Sequence, residues 1–329
     1  MDKKRRYIVF VFICFLPLCV FLLAATSENK KWEYPELIHP EDNLPTDERV
    51  NLGSDLFFET LLSRDSTLSC QSCHKMDEAF ADHLPLGEGI KGRHVTRNTP
   101  SLFNIGLHPY LMKDGKSASL EDQVLLPINE HREFDMDEEL LIARLKSRPH
   151  YVELSQKAYG KTIDIDVVQK SLAVFQRFLK SDNTRFDSYM RGDGFSLTED
   201  EKKGWALFQS DRLQCTQCHK GFDFTDYSFQ NNGLYQNYTD SGRALISGRK
   251  EDVGRFKVAS LRNVAITYPY MHDGSVKSLE DVITHYAAGG NLHANQSKFI
   301  QAFELNDAEL TQLLAFLHTL TEKKYLEDE

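Results

Sequence analysis

The chain has 329 residues, which is enough for two domains of ordinary size. Its 49 acidic residues outnumber its 39 basic residues, and the formal net charge at pH 7 is −10. Such a surface repels phosphate backbones, so the composition argues against nucleic acid as a partner and is compatible with a small basic protein.

The first 27 residues have the layout of a secretory signal. Four basic residues, Lys3 to Arg6, precede an uninterrupted apolar run from Ile8 to Ala25, and polar residues follow it. A run of 18 apolar residues is also just long enough to span a bilayer. The sequence therefore predicts export, and it leaves open whether the segment is cleaved or kept as a membrane anchor.

Helical patterns dominate the exported part. Residues 28–50 are polar, contain three prolines and are predicted to be an irregular lead-in. Apolar residues then recur at helical spacing over 168–179 and 310–317. Helix starts are indicated by an N-cap residue with a glutamate three positions later, namely Thr198 with Glu201 and Asn306 with Glu309. Because alternating strand patterns are scarce, the sequence predicts an all-α fold with long loops.

Two copies of the motif Cys-x-x-Cys-His, at 70–74 and 215–219, have the spacing of covalent c-type haem sites. In such a site the two thiols add to the vinyl groups of one haem, and the histidine binds the iron. Zinc sites and redox-active disulfides also use Cys-x-x-Cys. Zinc would need four ligands close in space, whereas these pairs are 145 positions apart, and a disulfide oxidoreductase would not need the histidine. The predicted haem-binding residues are Cys70, Cys73 and His74, and Cys215, Cys218 and His219.

An internal repeat follows the motifs. Residues 99–124 align without gaps to 258–283, with 10 of 26 positions identical. The shared positions include one methionine, an Asp-Gly pair and a Ser-Leu-Glu-Asp run that predicts a helix start. Each repeat has its own haem motif upstream, so we predict two tandem cytochrome c-like domains, residues 28–192 and 193–329, each around one covalent haem.

Two haem sites by themselves leave the function open. If both irons have two protein ligands, with Met112 and Met271 as candidates, the protein only passes electrons. If one iron keeps an open face, that haem can react with a small oxidant. Features beyond the haem motifs have to decide between an electron carrier and an enzyme.

Further sequence blocks accompany the two motifs in a fixed order. They are Arg97-Asn98-Thr-Pro-Ser-Leu, Asp114-Gly115, Leu120-Glu-Asp-Gln123, Pro127-Ile128 and Glu133-Phe134 in the first half, and Phe256-Lys-Val-Ala-Ser-Leu-Arg-Asn-Val, Pro269-Tyr-Met-His-Asp-Gly274 and Ser278-Leu-Glu-Asp-Val in the second. With these blocks the chain resembles the bacterial di-haem cytochrome c peroxidases and their relatives, the MauG-type di-haem enzymes. The resemblance covers most of the exported part.

The resemblance implies a periplasmic enzyme that reduces hydrogen peroxide to water with electrons from a small donor protein, a cytochrome c or a cupredoxin. It also implies a homodimer. A MauG-type enzyme, which uses peroxide to oxidise a protein or another substrate, is the alternative. The expected cofactors are two covalently bound haem c groups and one calcium ion.

Roles for individual residues also follow from the resemblance. Glu133 matches an acid on the open face of the N-terminal haem, where a carboxylate can take a proton from one oxygen of peroxide and return it to the other. Gln123 matches an amide that orients the acid or solvent. Asn98 and the backbone oxygens of Thr267 and Pro269 match a calcium site between the haems, and such hard oxygen donors suit calcium.

The iron ligand opposite His219 is less certain, because the sequence offers Met271, His272, His285 and Tyr286. The resemblance places this ligand at Tyr286, where the peroxidases usually have methionine and the MauG-type enzymes have tyrosine. A phenolate ligand stabilises the ferric and higher oxidation states. We therefore predict Tyr286, with Met271 as the alternative.

The chain departs from the family at two positions. Lys113 stands where the family commonly has a tryptophan between the haems, so electron transfer would need another route, such as the nearby Tyr110. Ile90 stands where the peroxidases have a distal histidine, and His83 and His94 are expected to be surface residues. The departure at Ile90 predicts an N-terminal haem that is open without prior reduction.

Overall fold

The computed structural model describes residues 32–326, and the predicted signal or anchor segment lies outside the described residues. The α-helices are α1 (Asp47–Phe58), α2 (Leu120–Gln123), α3 (Leu125–Asn129), α4 (Glu138–Lys146), α5 (Pro149–Tyr159), α6 (Ile165–Arg177), α7 (Arg185–Met190), α8 (Glu199–Phe208), α9 (Ala244–Ser247), α10 (Leu279–Ala287) and α11 (Asp307–His318). The strands β1 (Phe229–Gln230) and β2 (Phe256–Lys257) pair antiparallel. The described part is thus mostly helical with long loops, as predicted.

Within the same range, no helix combines the length and the apolar character that crossing a bilayer requires. Both predicted N-caps begin helices with reciprocal capping boxes. Thr198 caps α8 together with Glu201, and Asn306 caps α11 together with Glu309. The two helix starts predicted from sequence are therefore confirmed.

Each half of the chain is organised around one crossed pair of helices, α1 with α6 and α8 with α11. A glycine allows the close approach in each pair. A Cβ on Gly53 would overlap the backbone oxygen of Ser171, and a Cβ on Gly204 would overlap that of Gln312. The same packing device therefore recurs in both halves.

Two apolar cores accompany the helix pairs. The first contains buried residues from α1, α4 and α6, such as Leu56, Leu145 and Leu172. The second is centred on aromatic rings. Phe186 and Phe316 are fully buried, and their ring centroids lie 5.5 Å apart. Burial of these side chains supplies the main stabilisation of each half. The proposed division at 192/193 into two haem domains stays a prediction.

The internal repeat is also visible in the backbone. Asn104 and Asn263 both adopt left-handed conformations, with φ of 57° and 60°, and so do Met112 and Met271, with φ of 64° and 75°. Non-glycine residues rarely adopt positive φ, so four matching instances are informative. The helices after each repeated turn, α2 and α10, start at serine caps as predicted. The repeat is therefore a structural repeat.

Candidate haem sites and their surroundings

The two Cys-x-x-Cys-His motifs have the same local geometry. Each forms a single 3-10 turn, after which the backbone N–H of the histidine donates to the oxygen of the first cysteine, over 2.9 Å for His74 and 2.8 Å for His219. The turn brings the cysteines and the histidine of one motif to the same side of the chain. This is the arrangement that a covalent haem requires.

A backbone carbonyl orients each histidine ring. The Nδ1 atom of His74 lies 3.0 Å from the oxygen of Phe80, and that of His219 lies 3.0 Å from the oxygen of Phe224. A ring held through Nδ1 leaves Nε2 available as a metal ligand. Burial lowers the pKa of both histidines, so each is neutral at physiological pH, as iron binding requires.

The second motif opens into a large cavity of about 390 Å³. Cys215, Cys218 and His219 line it together with Tyr286 and Met271. Both cysteines are free thiols, and so are the two cysteines of the first motif, which leaves them available for thioether bonds. The cavity, its thiols and its neutral imidazole fit a covalent haem.

Two candidate iron ligands, Tyr286 and Met271, lie near one amide in this cavity. The side-chain amide of Asn232 donates to the Met271 sulfur over 3.2 Å, and the same side chain acts to lower the pKa of Tyr286. Burial raises the pKa of Tyr286 to about 12, and the nearby Cys218 and Cys215 contribute to the increase. The phenol is therefore neutral in the protein alone, and only a bound cation would favour the phenolate.

The two histidines that the sequence offered at this site have other partners. Nε2 of His285 lies 3.0 Å from the backbone oxygen of Asn232. His272 lines the cavity, but its ring stacks on Phe256 at 4.1 Å between centroids. Tyr286 and Met271 thus remain the two candidates for the second iron ligand.

Glu133 lies on a loop after α3 that packs against the segment of Gly89 and Ile90. The backbone N–H of Ile90 donates to the backbone oxygen of Glu133 over 3.0 Å. A Cβ on Gly89 would overlap the backbone of Arg132. The absent side chain of Gly89 therefore lets this loop come close. The Glu133 charge contributes to the raised pKa of the Cys70 thiol, which places the carboxylate near the motif.

The environment of Glu133 changes its acid–base behaviour. Burial raises its pKa to about 7, and the charge of Glu130 contributes to the increase. Within residues 32–326, the carboxylate accepts no hydrogen bond that would offset this burial. A half-buried carboxyl group with such a pKa beside a haem motif can both accept and donate a proton near neutral pH.

Gln123 does not contact Glu133 through a hydrogen bond in the described structure. Its amide instead faces the sulfur of Met112, with Nε2 3.7 Å from Sδ. The first repeat therefore pairs a methionine sulfur with an amide, as Met271 and Asn232 do in the second. Any action of Gln123 on Glu133 would have to pass through solvent.

The predicted calcium ligands come together beside the cavity, but a lysine lies among them. Asn98, Thr267 and Pro269 all line the cavity, and their donors are oxygen atoms. The Lys113 ammonium lies 3.5 Å from Oδ1 of Asn98 and 3.4 Å from the backbone oxygen of Met271. A fixed positive charge at the side-chain donor opposes a second cation there, so the residues present fit calcium poorly.

The structure also locates the remaining residues around the first motif. Ile90 is buried, and His94 is exposed. His83 has an Nε2 atom 3.1 Å from the backbone oxygen of Ile266 and stacks on Tyr268 at 4.0 Å. His94 is therefore a surface residue as predicted, whereas His83 is half-buried.

Two further cavity residues escaped the sequence analysis. Asn232 lies in a loop without any pattern, and only its contact with Met271 and Tyr286 reveals it. Lys257 was part of a recognised sequence block, but a lysine in such a block does not indicate a buried position. Burial is a property of the packed chain, so the sequence carried no signal for either residue.

Comparison with known proteins agrees with this site. The family model for di-haem cytochrome c peroxidase matches residues 47–194. Methylamine utilization protein MauG of Methylorubrum extorquens is 37% identical over 295 residues, 88% of this chain and 83% of that protein. Cytochrome c551 peroxidase of Nitrosomonas europaea is 31% identical over 277 residues, 83% of this chain and 79% of that protein.

Solved structures give the same result. A MauG-like protein associated with microbial copper homeostasis has a TM-score of 0.85 at 32% identity, covering 89% of this chain and 95% of that one. The di-haem peroxidase BthA from Burkholderia thailandensis has a TM-score of 0.75 at 22% identity, covering 86% and 88%. The likeness to BthA, at 22% identity, supports the fold alone. The likeness to the MauG-like protein, at 32% identity, also supports the family.

Proposed function

This chain belongs to the di-haem cytochrome c peroxidase family, and we propose that it reduces hydrogen peroxide to water at a haem held by Cys70, Cys73 and His74. The observation that carries the proposal is the position of Glu133, a half-buried carboxyl group beside this motif with a pKa raised to about 7. The second motif holds the other haem of the pair.

When bound, haem would supply the redox chemistry of peroxide reduction. Glu133 moves the proton within peroxide. As a carboxylate it accepts the proton of one peroxide oxygen, and as an acid it returns this proton to the other oxygen, which leaves as water. With an ordinary pKa of about 4.5 the group would be too weak a base for the first step.

The second haem, held by Cys215, Cys218 and His219, receives electrons from the donor in this proposal. Tyr286 is its second ligand, because the cavity holds the phenol beside both motif thiols and a bound ferric iron would favour the phenolate. Reduction of one peroxide consumes two electrons and two protons and gives two waters.

Other predictions from the sequence keep the status of proposals. A small cytochrome c or cupredoxin as donor is consistent with the acidic composition, and a periplasmic location agrees with covalent haem attachment. A homodimer follows from the resemblance alone. Calcium is the weakest of the expected cofactors, because Lys113 lies at the Asn98 donor; metal analysis of the purified holoenzyme decides it.

Steady-state turnover tests the proposal. The protein is matured with both haems, mixed with a reduced small cytochrome c, and given hydrogen peroxide. We expect oxidation of two donor molecules for each peroxide consumed. Two attached haems with no peroxide-dependent donor oxidation, tried with both cytochrome c and cupredoxin donors, would contradict the proposed activity.

A MauG-type activity is the second candidate, and Tyr286 in the second cavity favours it. Such an enzyme would store oxidising equivalents for a protein substrate rather than spend them on a donor. Stopped-flow spectra after peroxide, recorded without any donor, separate the two. Persistence of the oxidised protein for minutes favours the MauG-type function, and decay within seconds favours simple peroxidase turnover.

A further inference from the structure

Two lysines that line the cavity of the second motif have no carboxylate partner. Lys113 and Lys257 both line it, and no carboxylate oxygen lies within 4.0 Å of either ammonium in residues 32–326. Arg262, which also lines the cavity, by contrast forms a bidentate ion pair with Asp187, with both N–O distances at 2.9 Å. Neither ammonium group thus has a carboxylate in direct contact, although the charges of Asp82 and Asp273 act on Lys113 and that of Asp223 acts on Lys257.

The contacts of the two ammonium groups are neutral. Lys113 donates to the Asn98 side-chain oxygen and the Met271 backbone oxygen over 3.5 and 3.4 Å. Lys257 donates to the backbone oxygen of Tyr110 over 2.7 Å and lies 2.9 Å from Nδ1 of His108. None of these atoms carries the negative charge that normally accompanies an enclosed ammonium group.

The two lysines are also neighbours. The backbone N–H of Lys257 donates to the backbone oxygen of Lys113 over 2.7 Å. Burial lowers the pKa of each to about 8, although both residues keep partial solvent access. The cavity wall therefore holds two lysines on adjoining backbone segments.

We propose that Lys113 and Lys257 are the cationic partners of the two propionate carboxylates of the haem bound at Cys215, Cys218 and His219. The inference rests on the proposed haem attachment at this motif. A haem carries two carboxylates on the edge away from its vinyl groups, and the motif thiols bind the vinyl edge. The charge and number of the two lysines match what that edge brings into the cavity.

The proposal gives Lys113 a role of its own. In the family a tryptophan commonly stands at this position, and an indole can donate one hydrogen bond but carries no charge. Lys113 instead adds a positive charge near the second haem. A positive charge favours the reduced form of an iron centre, so the lysines are positioning residues that also raise the reduction potential of this haem.

Substitution of each lysine tests the proposal. Lys113→Met, Lys257→Met and the double variant are prepared as holoenzymes, and mass spectrometry confirms two haems per chain. Spectroelectrochemistry then gives the potential of each haem, with the first haem as internal reference. We expect a lower potential for the second haem in each single variant and a larger decrease in the double variant. The exposed Lys277→Met is the matched control and should leave both potentials unchanged.

An unchanged potential of the second haem, or a larger shift of the first, would overturn the assignment. If a methionine variant fails to mature, Lys113→Arg carries the test because it keeps the charge. Its second haem should retain the wild-type potential, while the propionate bending bands in the resonance Raman spectrum shift. Unchanged bands would show that Lys113 does not contact the propionates. Loss of peroxidase activity alone bears on the proposed function and not on this assignment.

Discussion

The two halves of the chain share a set of backbone features, here called the common frame, and differ in the side chains around it. Both halves have the crossed helix pair with its glycine, the left-handed asparagine and methionine, and the histidine held by a carbonyl. Around the first motif stand the loop of Glu133 and the buried Ile90. Around the second stand Tyr286 and a mostly apolar cavity wall that includes Lys113 and Lys257.

This difference teaches where a duplicated haem fold can change its chemistry. The frame must hold two thiols and one imidazole in both halves, which restricts the backbone strongly. Several other residues near the motifs lie outside the repeated segments, such as Glu133 and Asn232 on loops and Tyr286 on α10. One half can therefore become peroxide-reactive while the other takes a second iron ligand.

The largest expected effect concerns the acid of the first half. Glu133→Gln keeps the shape of the side chain but removes its proton transfer, so the reaction with peroxide should slow by about 100-fold or more. Stopped-flow absorption at pH 8, with haem content checked by mass spectrometry, measures it. Glu130→Gln, an exposed neighbour, is the control and should change the rate less than about threefold.

The second prediction concerns the iron ligand of the other half. Tyr286→Phe should abolish the absorption and EPR signals of phenolate ligation at the second haem, because a phenyl ring offers no donor atom. Met271→Leu should leave that signal intact. The reverse result would make Met271 the ligand, and an unchanged spectrum in both variants would exclude both residues.

The pH dependence of the first half gives a third test. Because burial raises the Glu133 pKa to about 7, the carboxylate fraction grows as pH rises through this value. The rate of reaction with peroxide should therefore increase about tenfold from pH 6 to pH 8 and then level off. Glu133→Gln should lose this dependence, and a flat wild-type profile would show that another group controls the step.

The smallest effects probe the common frame. Gly53→Ala and Gly204→Ala each force a Cβ into the backbone of the facing helix, so each should destabilise its half by about 1–3 kcal/mol despite the better helix propensity of alanine. Thermal unfolding of the holoenzyme measures this. Gly194→Ala, whose Cβ would meet open space, should be nearly neutral. A clear loss for only one of the two helix glycines would show that the frames differ.

Much of this molecule was readable from its sequence. The haem motifs follow from a chemical spacing rule, the helix starts at Thr198 and Asn306 from local capping, and the repeat from identical positions. Glu133 and Tyr286 came from the resemblance, and the structure puts each of them beside a haem motif. Their roles stay predictions until they are tested.

By itself, the sequence predicted the covalent haem chemistry and revealed the internal repeat, because both depend on residues close together in the chain. Only the tertiary structure decided which side chains are enclosed and what they face. The raised pKa of Glu133, the contact of Asn232 with Met271 and the neutral contacts of Lys113 and Lys257 all arise from segments far apart in sequence. Solvent exclusion and charge pairing are set by packing, and no local pattern encodes them.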